Sequence, residues 1–203
     1  MFKYTHLKFY YLVMMGMSRL SADILIVGSG PAGSLAAYEL SKLGYKVIIA
    51  DMKRCAGKPT ICGEYLPELS EIEDIFPNEG LKYLKSLYEL YRGYITNKTK
   101  ETTVEVEGVS RTFKFKGFII DRGSMISHII KNAEDYGATP LLSTIFRGCK
   151  REEGGYKSKV LSRELGELLV ESKFVIGADG YPSTVAKSLG LHFTLKTEDI
   201  AYA

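Results

Sequence analysis

The chain has 203 residues, of which 45% are hydrophobic and 25% charged, and 27 Lys and Arg against 24 Asp and Glu leave a formal net charge of +3. This composition excludes a disordered, collagenous or coiled-coil chain, and at this length it allows one large domain or two small ones. The basic excess is spread without blocks of like charge, so there is no footprint for nucleic acid. The odd set Cys55, Cys62 and Cys149, with no CxxC pair, argues against a disulfide framework and a zinc ribbon, and points to a reducing cytoplasm.

Residues 1–20 read as an N-terminal extension. The apolar run 9–16 follows Lys3, His6 and Lys8 but is far short of the roughly twenty residues that span a bilayer, and no small-residue cleavage site follows it. Met14, Met15 and Met17 point to translation starting at Met17. An arm touching a membrane and a targeting peptide are the other readings.

Residues 23–27 (Asp-Ile-Leu-Ile-Val) predict a strand buried on both faces in a parallel sheet. Gly28-Ser29-Gly30-Pro31-Ala32-Gly33 follows it, then a helix with Leu35, Ala36, Leu40 and Leu43 at helical spacing and Gly44 at the C-terminal cap. Residues 46–50 predict a second buried strand, closed by Asp51. A GxGxxG run between a strand and a helix, with an acid at the end of the next strand, is the context of a dinucleotide fingerprint. Gly28 allows the tight turn, Gly30 close approach of a pyrophosphate, and Gly33 close packing of helix on strand. The helix N-terminus supplies amides for an anion, and Pro31 fits its first turn. Asp51 is placed to accept from a ribose, and a glycine turn without a ligand is the bland alternative.

Farther along, Leu81, Leu84, Leu87, Tyr88 and Tyr91 predict an amphipathic helix over 80–91, with core packing preferred over a lipid-lining role for its tyrosines. Residues 102–107 and 111–116 alternate with period two, which predicts half-exposed antiparallel strands. Ile119-Ile120-Asp121-Arg122 leads into a helix with Met125, Ile126, Ile129, Ile130 and Ala133 on one face. His128 on that helix reads as a surface or packing residue. Residues 145–152, 156–163 and 167–173 predict a three-stranded meander packed on the parallel sheet. Residues 173–180 predict a further buried strand ending in Gly-Ala-Asp-Gly, before a short capped helix at 183–189.

This order of segments, GxGPAG, an acidic strand end, Asp-Arg at a helix start and Gly-Ala-Asp-Gly, resembles the flavoproteins typified by aromatic-ring hydroxylases and geranylgeranyl reductases. The loop Lys58-Pro59-Thr60-Ile61-Cys62-Gly63-Glu64 resembles the corresponding segment of the archaeal geranylgeranyl reductase family, which saturates isoprenoid chains of membrane ether lipids. The resemblance covers residues 21–200 and implies FAD as cofactor. It also implies Ala32 and Asp51 at the adenosine part, a backbone contact from Phe146 to adenine, Asp179 and Gly180 near the cofactor, and Arg122 toward the flavin. Cys62 and Gly63 would lie beside the isoalloxazine ring. Cys62 is the candidate catalytic residue, as proton donor or by shaping the pocket. Cysteine thiols are mostly protonated at neutral pH, so donation is chemically allowed. The alternatives are a small buried apolar residue for Cys62, a surface residue for Arg122 and a plain turn for Asp179-Gly180. Cys55 and Cys149 read as structural, and no metal site is expected.

The fold expected is α/β: a Rossmann-type FAD-binding domain with a parallel sheet, a three-stranded antiparallel meander, and the start of a mixed antiparallel-sheet substrate domain. Its parts are 21–92 and 120–192 for FAD binding, 93–119 as an excursion into the substrate domain, and 193–203 as that domain's truncated beginning. The resemblance implies an FAD-dependent reductase acting on an isoprenoid lipid, with NAD(P)H or ferredoxin as electron donor, peripheral membrane contact at most, and a separate chain as a possible source of the rest of the family's length. A monooxygenase of the same fold and a remnant inactive alone are the alternative functions. An NAD-dependent dehydrogenase is disfavoured by the Gly-Ala-Asp-Gly segment.

Overall fold

The computed structural model of the protein describes residues 19–60 and 62–191. In chain order these form β1 (Arg19–Val27), α1 (Pro31–Lys42), β2 (Val47–Ala50), β3 (Tyr65–Pro67), α2 (Asn78–Tyr91), β4 (Ile95–Thr99), β5 (Thr102–Val106), β6 (Val109–Phe113), β7 (Gly117–Ile120), α3 (Arg122–Asp135), β8 (Thr139–Leu141), β9 (Thr144–Glu152), β10 (Gly155–Ser162), β11 (Gly166–Gly177) and α4 (Thr184–Ser188). They divide into two compact units, one running up to Lys58 and resuming at Ile126, the other spanning Pro59–Met125. The expectations for a start at Met17 and for 193–203 lie outside the described residues.

The first unit is built on one six-stranded sheet in the order β8-β2-β1-β11-β10-β9. The first four strands run parallel and the last three antiparallel, β11 belonging to both sets. Ile24 to Val27 and all of β2 are buried, as continuous apolar strands flanked by parallel neighbours should be. Three expectations change here. β1 begins at Arg19 and takes in the end of the expected extension, because Arg19 to Ala22 pair with Leu169 to Ser172. The meander does not pack on the parallel sheet but continues it. Its third strand and the expected strand at 173–180 are one twelve-residue strand, since no turn residue interrupts Gly166–Gly177. Beyond Ser172, where the pairing with β10 stops, β11 is paired only with β1, and Phe174 is 62% exposed, so this end is not buried on both faces.

Helix α1 departs from the leucine stripe. Its buried residues are Gly33, Ser34, Ala37 and Ser41, because it lies so close to the glycine turn that a Cβ on Gly33 would meet the Gly28 carbonyl oxygen at 1.9 Å. The serines can be buried because their hydroxyls bond back onto the helix, Ser34 to Pro31 O and Ser41 to Ala37 O. Gly44 (φ +88°) ends the helix in a Schellman motif, its amide donating to Ser41 O and that of Tyr45 to Leu40 O. On α3 the expected face is buried, with Met125, Ile126, Ile129, Ile130 and Ala133 all at 5% exposure or less.

A bulge in β9 sets the far wall of this unit. Phe146 pairs with Val160 and Gly148 with Lys159, which leaves Arg147 as the extra residue. Strict alternation would send Phe146 and Cys149 to opposite faces, yet the bulge lets both enter the core.

The second unit holds the antiparallel sheet β3-β7-β4, helix α2 and the β5–β6 hairpin. Residues 59–92, expected with the first domain, group here because β3 pairs with β7 and the Tyr88 hydroxyl donates to Pro67 O. Burial pushes the Tyr88 pKa up, so it stays a donor through the neutral range. Both hairpin strands are exposed on both faces and not half-buried as the alternation predicts.

Cys149 is buried, and burial pushes its thiol pKa up, while Cys55 and Cys62 are exposed. A disulfide-exchange reagent at neutral pH is therefore expected to titrate two thiols promptly and the third only on unfolding.

Candidate functional site

In the first unit the C-terminal ends of β1, β2 and β11 converge. Gly28 N donates to Ala50 O and Ala178 N to Val27 O, each at 2.8 Å. Between them opens a groove of about 410 Å3. Its walls are the glycine turn and helix start (Gly28, Gly30, Pro31), the end of β2 (Ala50 to Lys53), the start of β9 (Thr144 to Phe146) and the segment after β11 (Ala178 to Gly180, Pro182, Thr184). Such a crevice outside the carboxyl ends of parallel strands is where open α/β sheets bind ligands.

The glycines differ in what surrounds them. Gly28 has φ of +98°, and a Cβ there would meet the Ala178 carbonyl oxygen at 2.2 Å, so the turn is pressed against the end of β11. Around Gly30 a Cβ would find open space. Gly30 is also the N-cap of α1 and gives the helix no side-chain cap, while Pro31 at the first position has no amide. The early helix amides therefore face the groove side without a side-chain acceptor, an arrangement able to receive an anion. Ala32 is exposed on that first turn and Gly33 lies buried beneath it.

Asp51 is 8% exposed. Its Oδ2 accepts from the amide and the hydroxyl of Ser29, the latter at 2.7 Å, and its Oδ1 accepts from Lys53 N at 2.7 Å. A carboxylate has about four acceptor positions, so one remains for a further donor. Asp179 likewise accepts three hydrogen bonds, all from the segment that follows it: Ser183 Oγ donates to Oδ1 at 2.8 Å, and the amides of Thr184 and Val185 donate to Oδ2 at 2.7 and 3.1 Å. Its carboxylate thus fastens α4, while Gly180 (φ +73°) turns the chain along the groove. Phe146 is buried on the opposite wall.

Cys62, Gly63 and Arg122 belong to the second unit, where Glu64 joins them. Glu64 has φ of +56°, rare for a residue with a Cβ. Its amide donates to Cys62 Sγ at 3.4 Å, its carbonyl accepts from Ile120 N at 3.0 Å, and its carboxylate accepts from Arg122 N at 3.1 Å. Asp121 caps the same helix start through Ser124 N and Ser124 Oγ. Arg122 Nε is buried with no hydrogen-bond partner, a donor left free for an acceptor. The thiol of Cys62 is exposed, which removes the reading of a small buried residue. Among the described residues no cluster of potential metal ligands occurs.

Sequence reasoning gave no role to Ser29, Lys53, Thr144 or Glu64. The signals were slight: Ser29 is a variable position of the glycine motif, and Glu64 stood only as the last letter of a loop pattern.

Glycine turn, strand-end acid and uncapped helix define a Rossmann-type dinucleotide-binding fold, and the match to a FAD binding domain identifies the dinucleotide as FAD. A model of the FAD binding domain matches residues 122–202, and one of the NAD(P)-binding Rossmann-like domain matches residues 26–58. Digeranylgeranylglycerophospholipid reductase 1 of Methanosphaera stadtmanae is 30% identical over 181 residues, which is 86% of this chain and 42% of that protein. An uncharacterized protein encoded in the nifH2 5' region of Methanosarcina barkeri is 30% identical over 175 residues, 86% of this chain and 90% of its own length. A solved geranylgeranyl bacteriochlorophyll reductase-like protein of Thermoplasma acidophilum superposes with a TM-score of 0.66 at 26% identity, covering 85% of this chain and 43% of that one. A myxobacterial chondrochloren halogenase, at 19% identity and TM-score 0.61, shares the fold alone. The chain belongs to the geranylgeranyl reductase family of FAD-dependent oxidoreductases, and spans about two fifths of the length of its curated reductase relatives.

Two outcomes follow from this geometry. Gly33→Ala should cost about 3 kcal/mol or more by overpacking, whereas Gly30→Ala should leave the melting temperature near that of the parent and weaken FAD binding measured by flavin fluorescence quenching. Glu64→Ala should cost about 1 kcal/mol as a lost helix cap and speed hydrogen exchange at the Arg122 amide several-fold. Glu64→Gln, whose side-chain oxygen still accepts, should stay close to the parent in both.

Proposed function

We propose that this chain is the FAD-binding part of a reductase that saturates carbon–carbon double bonds of isoprenoid chains in lipids. When bound, FAD supplies the hydride, and the protein contributes position and a proton. In this reading the open space at Gly30 and the uncapped start of α1, with Pro31 and Ala32, receive the pyrophosphate. Gly28 and Gly33 hold that turn in place, Asp51 accepts from the ribose, and the Phe146 wall flanks the adenine. Asp179 and Gly180 keep the far wall of the groove in shape. Arg122 offers its free Nε to the flavin end. Cys62 and Gly63 flank the reacting face, where the thiol gives a proton to the alkene carbon that does not take the hydride or shapes the pocket around it.

The observation that carries the reading is the cysteine loop: an exposed thiol held by the Glu64 amide, with the same glutamate fastened to the start of the Arg122 helix. The names of the reductase relatives support the substrate class. The electron donor, NAD(P)H or ferredoxin, a cytoplasmic location and a second chain supplying the remaining length belong to the same proposal.

Purified protein should show flavin absorption bands, or acquire them with added FAD. Anaerobic reduction followed by an isoprenoid alkene should reoxidise the flavin and yield the saturated chain. Cys62→Ser should slow that reoxidation about 100-fold if the thiol is the proton donor, with flavin still bound. An unchanged rate removes Cys62 from the chemistry. A hydroperoxyflavin spectrum on mixing reduced protein with oxygen would assign a monooxygenase instead, and protein that stays colourless with FAD would assign an inactive remnant.

A further inference from the structure

The β5–β6 hairpin is amphipathic and uncovered. Its turn residues Glu107 and Gly108 have φ of +51° and +78°, the left-handed pair of a type I′ turn, which matches the twist of the flanking strands. The register pairs Thr102 with Phe113, Val104 with Arg111 and Val106 with Val109, so these side chains share one face. On it Val104, Val106, Val109 and Phe113 stand 50, 63, 66 and 54% exposed. The reverse face carries Thr103, Glu105, Ser110 and Thr112, with the two threonine hydroxyls 2.9 Å apart. The sole charge within the apolar face is the cation Arg111. Lys98, Lys100, Lys114 and Lys116 flank the hairpin, against Glu101, Glu105 on the reverse face and Glu107 in the turn.

We propose that this face is a docking surface for an anionic lipid membrane, the choice of lipid resting in part on the reductase reading above. Size argues against a protein partner held by this face alone. Two five-residue strands present roughly 17 by 10 Å, well below the about 800 Å2 per partner of a stable protein interface. A lipid surface sets no such minimum, because attachment grows with each apolar side chain inserted and each cation brought to anionic headgroups. Among the described residues no helix is long and apolar enough to cross a membrane. A valine and phenylalanine face that carries Arg111, with lysines adjoining the outer ends of both strands in sequence, is complementary to such a surface, and the reverse face, of hydroxyls and a carboxylate, suits water.

The full chain, sedimented with vesicles of equal phosphatidylglycerol and phosphatidylcholine at low salt, is expected to bind. It should bind at least tenfold less to pure phosphatidylcholine, and about 0.5 M salt should weaken the anionic binding through screening. Val109→Glu and Phe113→Ser, on an exposed surface where the fold tolerates change, should each reduce binding about tenfold, while Thr103→Glu on the reverse face should reduce it less than twofold. Circular dichroism of each variant checks the fold. No binding to anionic vesicles, or binding that ignores Val109→Glu and Phe113→Ser alike, overturns the proposal. Protection of hairpin amides on adding a polypeptide but not vesicles would overturn it in favour of a protein partner. Vesicle binding is read without flavin or turnover, so its failure would leave the reductase reading standing and the two are separately decided.

Discussion

The first unit depends on one close approach. Three strand ends meet where Gly28 turns, with backbone bonds running from Gly28 to Ala50 and from Ala178 to Val27, and no room for a Cβ between Gly28 and the Ala178 carbonyl. From that contact follow the entry angle of α1, its stripe of small buried residues, and the groove that opens at Gly30. The serines of α1 are buried because the helix is close, and they are tolerated because they bond to their own backbone. A larger residue anywhere along this seam would push the helix off the sheet and fill or distort the space on which a dinucleotide depends.

Asp51 connects the same seam to the rest of the site. Its carboxylate holds the Ser29 amide and hydroxyl on one side and the Lys53 amide on the other, while its backbone bonds Leu141 and Thr144. One buried acid therefore fixes the glycine turn against the end of β2 and joins β2 to the starts of the walls beyond it. The residue expected to recognise a ribose is also the residue that keeps the recognising surface rigid, and a substitution there would act on both.

The parts legible in the sequence were those whose physics is local. A strand, a glycine turn, a helix start and a second strand lie within residues 23–51, and each reports itself by periodicity or by a residue type only one conformation favours. The parts that escaped depend on partners far along the chain. Nothing local tells Arg19 to Ala22 that they pair with Leu169 to Ser172, or tells residues 166–177 that the meander and the last parallel strand are one. The short strands β3 and β8 are three residues each and exist only by pairing with β7 and β2. The leucines of α1 misled for a similar reason: spacing reveals a helix, but which face is buried was decided by how near the backbone of the next element comes.

The site residues show the same division. The groove in the first unit is made by segments that carry their own motif, so Gly28, Gly30, Asp51, Asp179 and Gly180 could all be named in advance, though the occupation of Asp179 by the start of α4 could not. In the second unit the loop pattern named Cys62 and the helix start named Arg122, but the link between them is Glu64, 58 residues before Arg122 and in a backbone conformation unfavourable for it. Left-handed backbone at a residue with a side chain persists where surrounding bonds over-determine it. Here three bonds do so, to a thiol, to a strand amide and to a helix amide. A glycine would adopt this φ more readily, and the presence of a glutamate is accounted for by the carboxylate it brings to the helix start. The Cys62 thiol and the backbone start of the Arg122 helix are thereby tied to one residue, so a change at Glu64 acts on both.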